Sequence, residues 1–243
     1  MNVAMWSGPR NLSTALMYAF GARPDCAVWD EPFYAAYLAR TGLDHPMADR
    51  VLAAHEADPA AVAARCAGPA PDGRAVFYQK HMAQHMLPGF DLSWTRSAVN
   101  VFLIRHPARV IASYHAKRQN PVPADIGAAG QAALFARTAA AAGRDPVVID
   151  SADIRAAPEP MLRALCAAIG LAFDPAMLRW PAGGHPGDGV WAAHWYGAVH
   201  RSTGFAGPEG PLPAVPKHLR PVLEDALPYY RRLRARALTP TGG

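Results

Sequence analysis

Four groups of polar side chains in this 243-residue sequence have the types and spacing to bind an anion or to take part in a transfer reaction. The first is the segment 7–14 (SGPRNLST), where the Arg10 guanidinium and the hydroxyls of Ser13 and Thr14 are donors suited to phosphate or sulfate. The other three groups each come directly after a short apolar run: Asp30-Glu31, Lys80-His81 and Arg105. Two arginines, a lysine and an acidic pair in such positions are typical of a site for an anion with several charged groups.

Alternating strands and helices are predicted to position these groups. Short apolar runs predict five buried strands, at 2–6, 26–29, 75–79, 98–104 and 146–149. Helical spacing predicts one helix that follows a Ser13 cap and another that begins at Pro107. Further helices are predicted at 33–40, 59–66, 126–142, 159–169 and 219–237, and Asp58 is the expected cap of the helix at 59–66. We therefore expect an α/β fold with a doubly wound, mostly parallel β-sheet flanked by helices. Ligands of open α/β sheets bind outside the carboxyl ends of the strands, where the four groups should meet.

Length and composition predict one α/β domain over residues 1–243, with a long Gly/Pro/Trp-rich loop region at 180–216 and a frayed tail at 239–243. No apolar run is long enough to span a bilayer, and the first residues lack a signal-peptide pattern. We therefore expect a cytoplasmic protein without a membrane partner. The three cysteines are scattered and form no CxxC, which argues against disulfides and against structural zinc.

The net charge of +5 suits an anionic ligand and would also suit nucleic acid. The sequence has no Lys/Arg run with interleaved aromatic residues and no recognisable nucleic-acid-binding module. We therefore expect a small anionic ligand and no nucleic-acid partner.

Three segments resemble the sulfotransferases that use 3′-phosphoadenosine-5′-phosphosulfate (PAPS), and the motifs are most similar to those of bacterial and tyrosylprotein sulfotransferases. Residues 7–14 look like the 5′-phosphosulfate loop of that family. Residues 101–113 (VFLIRHPARVIAS) look like its 3′-phosphate motif, in which a strand ends in Arg and a Ser follows eight residues later, here Arg105 and Ser113. Residues 146–171 also resemble a later strand, Asp and helix of the family.

The resemblance implies a P-loop NTPase-like sulfotransferase fold, PAPS as co-substrate, no metal ion, and a small-molecule hydroxyl or amine acceptor. Leu12 stands where the family usually has Gly or another small residue, which predicts a tighter backbone cradle. Residues 200–205 (HRSTGF) are expected to form a late loop that contacts the nucleotide. The residues expected to bind the cofactor are Gly8, Pro9, Arg10, Asn11, Leu12, Ser13, Thr14, Arg105, Ser113 and Arg201.

Three residues are expected to act in catalysis by analogy with the family. Glu31 would take the proton from the acceptor, as the second residue of the acidic pair does in tyrosylprotein sulfotransferases, and Asp30 beside it would raise its basicity. Lys80 would stabilise the bridging oxygen as the nucleotide leaves. His81 is the alternative base, because imidazole titrates near neutrality and cytosolic members use a His.

Two other functions remain open at this point. A P-loop kinase or nucleotide hydrolase could use Asp150 with Mg²⁺, although residues 7–14 lack the second Gly and the Lys of GxxxxGK[ST]. The third hypothesis is a catalytically silent nucleotide-binding protein. The sequence leaves the acceptor and the oligomeric state undetermined.

Overall fold

The computed structural model describes residues 1–116 and 120–240. Its sheet has five strands in the order β2-β3-β1-β4-β5, and every neighbouring pair is parallel. The strands are β1 (Asn2–Ser7), β2 (Cys26–Asp30), β3 (Val76–Met82), β4 (Val99–Ile104) and β5 (Val147–Asp150). The predicted α/β fold with a parallel sheet flanked by helices is confirmed.

Twelve α-helices are present in the described part of the chain. They are α1 (Ser13–Gly21), α2 (Tyr34–Thr41), α3 (Ala48–Ala54), α4 (Pro59–Ala67), α5 (Pro107–His115), α6 (Pro123–Ile126), α7 (Ala128–Ala142), α8 (Ser151–Ala156), α9 (Pro158–Ala168), α10 (Ala192–Trp195), α11 (Gly197–His200) and α12 (Arg220–Arg234). The helices α3, α8, α10 and α11 are short, and no periodicity in the sequence had predicted them. None of the described helices combines the length and apolar character that a membrane crossing requires.

Both faces of the sheet are buried, because alternate residues of each strand point to opposite sides. Val3, Met5 and Leu103 belong to the apolar cluster that also contains α1 and α9 residues. Trp6 and Phe102 belong to the cluster on the opposite face, with residues of α4, α7 and α12. This double cover explains why the strands read as nearly continuous apolar runs.

The structure corrects three local predictions. Ser13 is the first residue of α1 and not its cap; the N-cap is Leu12, in the left-handed region at φ 72°, without a side-chain cap. The predicted helix 126–142 is α7 and begins two residues later, at Ala128, because Gly127 adopts φ 72° and separates it from α6. The predicted strand 75–79 continues to Met82, so Lys80 and His81 lie inside β3. The Asp58 cap of α4 is confirmed.

Candidate active site

The loop between β1 and α1 holds two non-glycine residues in the left-handed region, Arg10 at φ 61° and Leu12 at φ 72°. Such backbone costs on the order of 1–2 kcal/mol per residue, and strain of this kind concentrates at functional sites. Because Leu12 provides no side-chain cap, the N–H groups of the first turn of α1, at Ser13 and Thr14, are left for an external acceptor. The loop therefore has the geometry of an anion cradle.

Neighbouring side chains pack the rest of this loop tightly. A Cβ added at Gly8 would lie 3.4 Å from Asn11 Nδ2 and 3.5 Å from Gln131 Oε1. Asn11 Nδ2 donates to the Leu103 carbonyl of β4 at 3.2 Å, which ties the loop to the neighbouring strand. Pro9 is buried, and its Cδ lies 3.6 Å from where a Cβ of Gly127 would stand. Gly8, Pro9 and Asn11 thus shape the cradle rather than present charge to it.

The structure brings Arg10, Ser113 and Arg105 together. Arg10 Nε donates to Ser113 Oγ at 3.0 Å, and Arg105 Nη1 donates to the Arg10 carbonyl at 2.6 Å. Burial and the nearby Arg105 guanidinium both lower the pKa of Arg10. Two guanidinium groups in close proximity favour an anion between or beside them.

Arg105 is also part of a cation cluster that sequence reasoning missed. The side chain of Glu209, only 3% exposed, forms ion pairs with Arg105, with Arg109 of α5 at 2.9 Å and with Arg155 of α8 at 3.0 Å. In the sequence, only the i, i+4 spacing of Arg105 and Arg109 could have indicated this cluster, since Arg155 and Glu209 lie far away along the chain.

The acidic pair at the end of β2 surrounds Lys80. Asp30 and Lys80 are partners in the register of β2 and β3. Lys80 Nζ donates to Asp30 Oδ1 at 2.8 Å, to Glu31 Oε1 at 2.5 Å and to Tyr196 Oη at 2.8 Å, so all three of its N–H groups are used. Burial raises the pKa of Asp30; burial alone would lower the pKa of Lys80, but the two carboxylates outweigh it and raise that pKa. The group is therefore a buried cluster in which one ammonium group pairs with two carboxyl groups.

Residues from the 180–216 region complete the hydrogen bonds of this cluster. Tyr196 Oη donates to Asp30 Oδ2 at 2.8 Å and accepts from Trp191 Nε1 at 3.0 Å. The Gly189 N–H also donates to Asp30 Oδ2, at 3.2 Å. Asp30 is thus saturated, whereas Glu31, at φ 41° and with a side chain 12% exposed, is the member of the pair that solvent reaches.

His85 faces Glu31 from the other side and was not predicted. Its Nδ1 lies 3.9 Å from Glu31 Oε2, and its ring is stacked between those of Tyr34 and Tyr37, with centroid distances of 4.6 and 4.9 Å. Burial and the Lys80 charge lower the pKa of His85 well below its ordinary value. The imidazole is therefore neutral at physiological pH, and it does not compete with Lys80 as a counter-ion for Glu31.

His81 lies on the opposite face of β3 from Lys80, because consecutive strand residues alternate. Its ring stacks on Trp6 at 4.4 Å, packs near Trp94, and its Nε2 lies 3.2 Å from Gln79 Oε1. It is 1% exposed, and burial lowers its pKa to about 3. His81 is thus enclosed in the core, whereas part of the Glu31 side chain is exposed to solvent.

We expect the buried histidines to make the protein sensitive to acid. His81 binds a proton near pH 6.5 in the unfolded chain but only near pH 3 when folded, so the unfolded state binds more protons between these values. The free energy of unfolding should therefore decrease as the pH is lowered through this window, by ~1.4 kcal/mol per pH unit for His81 alone. Urea unfolding between pH 7 and 4.5 should show this slope reduced in His81→Phe and unchanged in the control His218→Phe; an equal slope in both would contradict it.

Two further residues lie away from these clusters. Arg201 is exposed after α11, and no hydrogen bond or ion pair joins it to Arg10 or Arg105 within residues 1–116 and 120–240. Asp150 caps α8 by accepting from Ala152 N at 2.9 Å, and it accepts from Tyr230 Oη at 2.7 Å. No group of three or more His, Cys, Asp or Glu side chains in the described part of the chain could hold a metal ion.

The strand order places the β1–α1 loop, the Lys80 cluster and the arginine cluster side by side at the carboxyl ends of the strands. The loop after β1 is central; β3 and β2, with Lys80 and the acidic pair, lie on one side, and β4, with Arg105, lies on the other. An anion held by the central loop would therefore have an arginine cluster at one end and a carboxylate at the other.

Comparisons with known proteins show the family and the fold of this chain. Two curated relatives are the branched-chain-amino-acid aminotransferase-like proteins 1 and 2 of Arabidopsis thaliana; they are 36% and 34% identical to this chain over 95% and 94% of its length, but the chain spans only about 41% and 40% of theirs. A solved sulfotransferase from Alicyclobacillus acidocaldarius has the same fold, with a TM-score of 0.55 at 14% identity, over 97% of this chain and 95% of that one. A family model described as the sulfotransferase domain matches residues 1–237. The chain thus belongs to the sulfotransferase domain family.

Proposed function

We propose that this chain binds PAPS and transfers its sulfuryl group to a hydroxyl or amine acceptor. The observation that carries the proposal is the order of groups along the sheet edge, with the anion cradle between the arginine cluster and Glu31. In this arrangement the 3′-phosphate side of the nucleotide would face Arg105, and the sulfuryl end would face the acidic pair.

The residues of the cradle fit the 5′-phosphosulfate group. The first-turn N–H groups of α1, the Ser13 and Thr14 hydroxyls and the Arg10 guanidinium are all donors, as a sulfate or phosphate oxygen requires. The lowered pKa of Arg10, caused by burial and by Arg105, is a further sign that the site favours added negative charge. Arg201 stays outside this set in the proposal, because it lies beyond α11 and is exposed.

In the proposed reaction the acceptor oxygen or nitrogen attacks sulfur in line with the bridging oxygen. The new bond to sulfur forms as the bond from sulfur to the bridging oxygen breaks, and that electron pair leaves on the 5′-phosphate of the nucleotide product. Glu31 Oε takes the acceptor proton. As in phosphoryl transfer, positioning and charge neutralisation would provide most of the acceleration.

Lys80 has a role that depends on Glu31. All three of its N–H groups have partners, so contact with the bridging oxygen requires the loss of one. Glu31 is the partner that solvent reaches, and protonation of its carboxylate would weaken its hold on Nζ. Proton uptake by Glu31 and delivery of the Lys80 charge to the leaving oxygen are therefore linked in this proposal.

The contacts of Asp150 weigh against a Mg²⁺-dependent kinase or hydrolase. Its carboxylate is 1% exposed and is already used by the α8 backbone and by Tyr230, with Arg234 Nε 3.8 Å away. This chain spans only about 40% of the Arabidopsis relatives, so the proposal does not carry their aminotransferase-like name over to it.

Ligand binding tests the proposal. Thermal shift and calorimetry with 3′,5′-adenosine bisphosphate should show stabilisation, whereas ATP with Mg²⁺ should give a smaller effect. Stabilisation by ATP with Mg²⁺ alone would exclude the sulfotransferase proposal. Binding of the bisphosphate without transfer from PAPS to any hydroxyl or amine acceptor of a panel would favour a silent nucleotide-binding protein.

Arg105→Ala should weaken binding of 3′,5′-adenosine bisphosphate by about 1.5–3 kcal/mol, because a charged hydrogen-bond partner of the 3′-phosphate is removed. Arg163→Ala is the matched control, since Arg163 is an exposed arginine of α9. Adenosine 5′-phosphate, which lacks the 3′-phosphate, should bind both variants like the wild type. Equal bisphosphate affinity in Arg105→Ala and the control would place the 3′-phosphate elsewhere.

A further inference from the structure

Residues 206–212, which we call the strap, are attached to the protein almost entirely through arginine side chains. Every strap residue except Glu209 is exposed, whereas the Glu209 side chain is 3% exposed. Arg109 Nη1 donates to the Glu209 carbonyl at 3.1 Å and Nη2 to the Gly210 carbonyl. Arg155 Nε donates to the Gly207 carbonyl at 2.8 Å. The strap thus has one buried side chain, and that side chain is an anion.

The pocket that holds this carboxylate has more positive charge than its occupant neutralises. Arg105, Arg109 and Arg155 each form an ion pair with Glu209, so three guanidinium groups face one carboxylate. A phosphate monoester carries up to two negative charges and three acceptor oxygens, and guanidinium groups bind it in the same bidentate manner as a carboxylate. The pocket is chemically suited to a phosphate, and Glu209 occupies it as a weaker internal substitute.

The strap is also built to move. It contains two glycines and two prolines in 206–211 and lies between two packed residues, Phe205 against Trp180 and Val215 against the α5–α12 apolar cluster. Between these anchors, the described contacts of the strap are those with the arginines. The guanidinium groups of Arg109 and Arg155 also hold the strap carbonyls, so an anion that replaces Glu209 and draws these groups to itself would loosen the segment without disturbing either apolar cluster.

We propose that Glu209 is an internal competitor for the nucleotide, and that a nucleotide phosphate replaces it on Arg105, Arg109 and Arg155 and releases the strap. This inference rests on the proposed function in one respect, namely that Arg105 faces a nucleotide phosphate. It adds Arg109 and Arg155 as phosphate-binding residues and makes the strap a segment that opens when the nucleotide enters.

The test compares Glu209→Gln with the wild type and with Glu224→Gln, a control at an exposed position of α12. While Glu209 occupies the site, an anion can bind only the fraction of molecules in which the strap is open, and its apparent affinity is reduced to that fraction. If about 1–10% of the molecules are open, removal of the Glu209 charge should raise the affinity for the anion about ten- to a hundredfold. Calorimetry should show this gain for 3′,5′-adenosine bisphosphate and for inorganic pyrophosphate in Glu209→Gln, and none in the control. Glu209→Asp, which keeps the charge but shortens its reach, should show a smaller gain.

Motion of the strap gives a second readout. Cys26, Cys66 and Cys166 are free and buried, so a fluorophore on Leu212→Cys would label the exposed strap selectively. Its anisotropy should fall when pyrophosphate is added to the wild-type background, and should already be low in Glu209→Gln without ligand. Equal anion affinities in Glu209→Gln and the wild type, or an anisotropy that does not respond to anions, would overturn the proposal.

The two proposals fail separately in this experiment. If pyrophosphate binds and releases the strap but 3′,5′-adenosine bisphosphate does not bind, the internal competitor is supported and the sulfotransferase assignment of the pocket fails. If the bisphosphate binds equally to all variants with no change in anisotropy, the nucleotide site is supported and the competitor is excluded.

Discussion

Lys80→Met is expected to lower the free energy of unfolding by about 3–5 kcal/mol, because it leaves buried carboxylates without their counter-ion. Lys80 and Asp30 are each 1% exposed, and Glu31 is 12% exposed. Methionine fills a similar volume, so the loss would come mainly from charge and hydrogen bonding rather than from a cavity. Urea unfolding at pH 7 measures the change, and Lys217→Met, at an exposed lysine, is the control.

A second set of variants distinguishes the ion pairs from a general packing defect. Adding Asp30→Asn and Glu31→Gln to Lys80→Met removes the uncompensated negative charge and should restore part of the lost stability. The pair Lys80→Met and Asp30→Asn should therefore be non-additive. A loss below about 1 kcal/mol in Lys80→Met would mean that the carboxylates are solvated and that the cluster is not closed, since exposed pairs contribute in that range.

The sequence predicted the features of this site that depend on local spacing. A polar loop between an apolar run and a helix predicted an anion-binding loop, and the strand–Pro–helix unit predicted that Arg105 and Ser113 lie close together. In the structure Ser113 Oγ accepts from Arg10 Nε at 3.0 Å. Local spacing can predict which groups share this edge because parallel strands bring their carboxyl ends to one edge whatever the rest of the chain does.

The features that it missed depend on contacts between distant segments or on where a strand ends, since β3 is three residues longer at its carboxyl end than the predicted strand 75–79. Because β3 continues to Met82, the alternation of strand side chains sends His81 into the core beside Trp6, although Lys80-His81 reads as one polar strand end. Tyr196 and Glu209 reach the site from a Gly/Pro-rich region, and their partners Asp30 and Arg105 lie 166 and 104 residues away in sequence. No local pattern encodes such a pairing.

Glu31→Gln is expected to reduce sulfuryl transfer by about 10²–10⁴-fold, the usual contribution of a general base, while affinity for 3′,5′-adenosine bisphosphate stays within about twofold of the wild type. The amide can still accept from Lys80 Nζ but cannot take a proton, so the fold and the nucleotide site should be kept. Release of 3′,5′-adenosine bisphosphate from PAPS, in the presence of a panel of hydroxyl and amine acceptors, measures the rate. Glu224→Gln is the control at an exposed position.

His81→Phe decides between the two bases that the sequence left open. Since its imidazole is 1% exposed and faces Trp6 on the other side of the sheet from Lys80, we expect this variant to keep its turnover number even where its stability changes. A large loss of turnover in His81→Phe together with a normal rate in Glu31→Gln would exclude Glu31 as the base. The opposite pattern, a normal turnover number in His81→Phe and a large loss in Glu31→Gln, would support Glu31 as the base.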